Sequence, residues 1–247
     1  MSKSFGEQRA RKDHLLRSGG LGGEIADLRA DVEEGMDNNE ARAGFPELDW
    51  IDGTPPAAAG GTVVLKGRNL LQGQTFDSLT LGAGTSELIF TAVKPGDSGF
   101  KVLLTDTGSI SAAFANGLLT VGHDAGVSTA DAVATAINVA ATNVGQIRCV
   151  SGGVGTAIVP STDSVDGDAL VGGVGDHAGN KVEVSGVEAL PLHATGTSPA
   201  ATWADDAISV VVPDLTAEGD ARAASDIVAT RIQSNGVQSA PISSVLG

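Results

Sequence analysis

The chain has 247 residues, of which 41% are hydrophobic but only 3% aromatic, with no Tyr, one Cys and a formal net charge of −15. This balance lacks the basic stripe that binding free nucleic acid requires, excludes an intrachain disulfide and supplies few aromatic walls for a small-molecule pocket. No apolar run reaches the roughly 18 residues of a membrane span, and Met1 to Glu7 leads into charge rather than an apolar signal segment.

Residues 1–18 are basic and polar, with Arg9, Arg11, Lys12 and Arg17 around Asp13-His14-Leu15-Leu16. Glycine pairs then interrupt the chain at residues 19–20 and 22–23. Leu21, Ile25, Leu28 and Val32 follow at spacings of 4, 3 and 4, the seam of a short coiled-coil-like helix. Two heptads are too few to hold helices together alone, so this helix either lies on its own domain or self-associates. Residues 37–61, with Asn38-Asn39, Pro46, Pro55-Pro56 and Gly60-Gly61, read as a linker. Residues 1–61 are therefore expected to form an extended arm with a short helix.

From Thr62 the expectation is β structure. Strands are expected at Thr62–Leu65, Phe76–Leu81, Glu87–Val93, Lys101–Leu104 and Leu118–Val121. Turn residues separate them, among them Pro95-Gly96-Asp97 and Asn116-Gly117. Ser128-Thr129-Ala130-Asp131 opens a helix with a hydroxyl N-cap and an acid in its first turn. Val133, Ile137 and Ala140 supply its apolar stripe, and Ile147–Val150 follows as a strand. The same order is expected again near the end: a strand at Ile208–Val212, a helix over 222–234, and an extended segment from Val237 to Val245.

The two helical stretches align without gaps at a shift of 95, with five identities in eight positions between 130–137 and 225–232. Gly99-Phe100-Lys101-Val102 likewise resembles Gly179-Asn180-Lys181-Val182 at a shift of 80. This suggests an internal repeat. The resulting fold class is mainly β with two short helices (α+β), as β-sandwich-like domains behind the arm. The expected divisions are 1–61, 62–160 and 161–247.

Chemistry-bearing residues are sparse. His14, His123, His177 and His193 form no close pair of the kind a zinc site shows, and read as loop histidines in solvated turns. Cys149 reads as a small core residue in a strand. Asp163, Asp166 and Asp168 surround Gly167 without the spacing of an EF-hand, which suits a solvated acidic turn better than a calcium site. Gly173 to Gly179 is glycine-rich, but it misses the dinucleotide spacing and runs toward a strand. Paired carboxylates brought together by the fold are the enzymatic alternative. The expectation is a protein with no catalytic residues, no cofactor and no metal.

Residues 88–150 resemble a module of tailed-bacteriophage virion proteins. The resemblance lies in Ile89-Phe90-Thr91-Ala92-Val93-Lys94-Pro95-Gly96, then Gly99, then Ala134-Thr135-Ala136-Ile137-Asn138. Phe100 departs from the pattern, which carries Asn at that step. The resemblance covers about a quarter of the chain and implies a virion component assembled in the host cytoplasm. Among virion roles, a capsid decoration or cement protein fits an arm that crosses neighbouring subunits. A tail, baseplate or fibre component that binds host carbohydrate is the alternative. The implied partner is the major capsid protein of the same phage, bound by a homo-oligomer for which a trimer suits three-fold positions. Neither a membrane nor nucleic acid is bound directly. Arg9, Arg11 and Lys12 could meet acidic capsid patches or form a solvated tail, and Leu21, Ile25, Leu28 and Val32 could supply the apolar contact.

Overall fold

The computed structural model describes residues 44–56, 60–152, 165–193, 195–197, 199–216 and 222–247. The arm residues Arg9, Arg11, Lys12, Leu21, Ile25, Leu28 and Val32 lie outside the described residues, as do His14 and Asp163. Residues from Phe45 onward make one compact unit. Its chemistry is mainly β, with one α-helix among the described residues.

The first strand, β1 (Glu47–Asp52), pairs antiparallel with β2 (Thr62–Arg68). This corrects the expectation of a linker through residue 61. Leu48 is buried and Ile51 packs against the core, so residues with a linker's flanking prolines still bury one side of a strand.

The chain then leaves this sheet and builds a separate half. β3 (Ser78–Leu81), β4 (Glu87–Ala92) and β8 (Ile147–Gly152) form a three-stranded sheet. β5 (Lys101–Asp106), β6 (Ser111–Ala115), β7 (Leu118–His123) and the short β9 (Asp168–Ala169) form a second sheet, in the order β6-β7-β5-β9. Helix α1 (Ala130–Val139) packs into the core that these sheets share, with Val133, Ala134 and Ile137 beside Phe90, Leu119 and Cys149. Thr129 caps it by accepting a hydrogen bond from the Ala132 amide, which satisfies one of the helix's unpaired donors. β6 was not expected from sequence. Its turn was, because Asn116 and Gly117 both adopt positive φ, the backbone twist that tight hairpins require.

After residue 174 the chain returns to the first sheet. β10 (Lys181–Val184) pairs with β11 (Val187–Pro191), β11 with β12 (Ala207–Val211), and β12 with β2. β10 also pairs with β13 (Ile227–Ser234), whose other partners are β14 (Val237–Gln238) and β15 (Ile242–Val245). Every pairing in this curled sheet is antiparallel. It encloses its own core, in which Leu65, Val182, Trp203, Ile208 and Ile232 meet.

Two expectations are overturned here. The helix over 222–234 is the strand β13, so the described residues hold one α-helix where two were expected from Thr62 onward, and the repeat fails at its best-matched segment. The lesser match survives only as a shared lead into a strand, since Lys101 opens β5 and Lys181 opens β10. The division at residue 160 does not follow the sheets either. β2, from the first expected domain, is hydrogen-bonded to β12, from the second.

Candidate functional site

The two halves meet along a buried polar seam. Gln74 Nε2 donates to Asn180 Oδ1 at 3.1 Å and to Ser234 Oγ at 3.0 Å. Asn180 Nδ2 donates in turn to Gln74 Oε1 and to the Pro95 carbonyl, at 2.9 and 2.8 Å. Ser234 Oγ and Trp203 Nε1 both donate to the Leu70 carbonyl. Asp77 fastens two loops, its Oδ1 accepting from the Gly173 amide and its Oδ2 from the amide and hydroxyl of Ser98. Buried polar groups satisfied in this way specify one arrangement of the parts they join. Gly96 must stay a glycine, because a Cβ there would lie 2.4 Å from the His177 amide nitrogen. The glycine-rich loop 173–179 therefore serves close packing between the halves.

Histidines 123, 177 and 193 are all buried, which corrects the expectation of solvated loop histidines. His123 ends β7, His177 lies in the seam, and His193 Nε2 contacts the Asn143 carbonyl at 3.2 Å. No periodic signal marks them, because each lies at a strand end or in a loop whose burial comes from the other half or from its own sheet. Cys149 is buried, as read from sequence, and desolvation pushes its thiol up. That suits a core residue and not a nucleophile. Asp166 is exposed and Asp168 pairs with Val102 in β9. Among the described residues, no group of three or more His, Cys, Asp or Glu is placed to hold a metal ion. Also among them, no helix is long and apolar enough to cross a membrane.

What the outer surface offers is apolar area at the open side of the curled sheet. β1 and β15 face each other across a groove of about 420 Å³, and no strand pairing joins them. Trp50 and Val245 both line it and point outward, 57% and 53% exposed. Val245 is in register with Ile227 of β13, which is 69% exposed. The Gly247 amide donates to the Pro55 carbonyl at 2.9 Å and ties one end of the groove. Trp50 lies on β1, an edge strand of the curled sheet. Its place on a strand edge was hidden because β1 was not recognised.

No protein-family model matches the chain, and neither a curated protein nor a solved structure matches it.

The Ala134–Asn138 stretch has a structural logic of its own. Asn138, the last residue of its Ala-Ile-Asn, is buried and donates to the carbonyls of Cys149 and Gly196, both at 2.7 Å. Its Oδ1 accepts from the Cys149 amide at 2.9 Å. One side chain thus fixes α1 to β8 and to the loop that returns from the curled sheet.

Proposed function

We propose that the chain is a virion structural protein of a tailed bacteriophage, and specifically a capsid decoration or cement protein without catalytic activity. It binds across neighbouring copies of the major capsid protein and stabilises the head. The supporting observation is the outward-facing group of Trp50, Val245 and Ile227 beside an unpaired strand edge. Covering the exposed part of Trp50 would contribute roughly 3 kcal/mol, and residues of this kind dominate docking energetics. The resemblance of residues 88–150 to the virion module points the same way. In this reading the protein works as a homo-oligomer.

The test is to image particles carrying a tagged chain and to count its copies. A high copy number that follows the capsid lattice supports the reading, whereas a few copies at one vertex or along the tail support a tail, baseplate or fibre component instead. Trp50→Ala should weaken binding to assembled capsids by about tenfold or more, with little change in the stability of the free chain.

A further inference from the structure

We propose that His177 is an acid-sensitive pin in the seam between the two halves, so that charging its imidazole loosens the inserted half from the curled sheet while both cores stay folded. The argument starts from position. His177 belongs to the loop that leads into β10, yet its ring stands edge-to-face against Phe100 at the start of β5, with centroids 5.0 Å apart at 79°. Its amide lies under Gly96 of the other half. The ring is buried, and its Nδ1 has no hydrogen-bond partner.

The surrounding charges are already committed. Lys94, from the inserted half, reaches Glu188 on β11 at 3.8 Å and is mostly covered. Lys181 and Asp176 also act on Lys94. Asp77 faces His177, but its two oxygens accept three hydrogen bonds from Gly173 and Ser98. An imidazolium would therefore enter a buried position as a second cation beside Lys94, offset only in part by hydrogen bonding to the Lys94 and Pro95 backbone. What the edge-to-face Phe100 ring returns to a cation is less than the cost of taking an ionised group out of water.

Burial, followed by the Lys94 charge, holds the His177 pKa below its ordinary value, against smaller opposing effects of the Lys94 and Pro95 backbone and the Asp77 charge. A lowered folded-state pKa means that the opened form binds the proton more readily. The contribution to joint stability is complete above the ordinary histidine value of about 6.5 and is lost as pH falls below it toward the folded pKa. The loss is centred on the seam because the two apolar clusters are separate, while links elsewhere between the halves, such as Asn138 to the Gly196 carbonyl, do not involve His177.

Hydrogen exchange on the full chain at pH 7.5 and 5.5, corrected for intrinsic rates, tests this. The amides of Ser98, Gly173, Asp176 and Asn235, which bond across or within the seam, should lose protection several-fold, up to about tenfold per pH unit for one proton. Amides in β4, within its own core, should not change. In His177→Gln the pH response should disappear. Three results overturn the proposal: unchanged protection at the seam, seam and core losing protection together, or a response that survives in His177→Gln and so belongs to His123 or His193. Should His177→Gln fail to fold, the imidazole of the unmodified chain is titrated by NMR. A midpoint below the ordinary value supports the pin, and one at or above it overturns the proposal.

Discussion

Residues 130–137 and 225–232 share Asp, Val, Ala, Thr and Ile at matching positions, yet the first is a helix and the second a strand. Val133 and Ile137 are buried in one, and Val228 and Ile232 in the other. A spacing of four places residues on one face in either structure, because it is close to one helical turn and also two strand repeats. The positions between them tell the two apart. In α1, Ala134 is buried and Thr135 exposed, whereas in β13 Ala229 is exposed and Thr230 buried. Identical letters have exchanged inside for outside.

Local cues already leaned the right way. α1 begins with the Thr129 cap, whereas the corresponding position before β13 is Ala224, which cannot cap. Ser225 has a φ of 76°, a left-handed backbone incompatible with a helix start. Asn235-Gly236 immediately after β13 is a hairpin signal, and both residues adopt positive φ. β-Branched Ile227 stands where α1 has Ala132, which favours a strand.

The comparison can be broken most severely at Asn138, whose counterpart in β13 is Gln233. Asn138→Ala strands two carbonyls and one amide, and should cost about 4 kcal/mol in a denaturant titration. Next come Ile137→Ala and Ile232→Ala, each opening a cavity in a different core. Each should cost roughly 3 kcal/mol, with the lost hydrogen-exchange protection concentrated in the half that carries the substitution. A smaller and opposite effect is expected at the shared threonine. The Thr230 hydroxyl is buried without a partner, so Thr230→Val should raise stability by about 1 kcal/mol. Thr135→Val, on the exposed face of α1, should move the thermal midpoint hardly at all. Last, Thr129→Ala should cost about 1 kcal/mol and fray only the first turn of α1 in carbon chemical shifts. A loss that reached β13 would contradict the independence of the two cores.

The same contrast explains how much of the molecule was legible beforehand. β2, β4, β5, β7, β8 and β12 lie where alternation and turn residues placed them, to within a few residues, because each carries its own apolar face between turn signals. β1 escaped notice because its apolar residues, Leu48, Trp50 and Ile51, break alternation at an irregularity in register between Leu48 and Trp50. β6 escaped because alanines give little contrast between faces. The candidate docking surface was unreadable for a related reason. Trp50, Val245 and Ile227 come from three separated segments and become neighbours only when β1 and β15 approach.

Composition and local pattern were sufficient for the β-rich character, the capped helix, the buried cysteine and the hairpin at Asn116-Gly117, since those depend on propensity and on residues within a few positions of one another. Three-dimensional packing alone decided that residues 227–232 are extended, that β2 pairs with a strand about 145 residues later, and that three histidines are buried. Each of these depends on which distant surface covers a segment, and burial by a distant surface outweighs the fraction of a kilocalorie that local propensity supplies per residue.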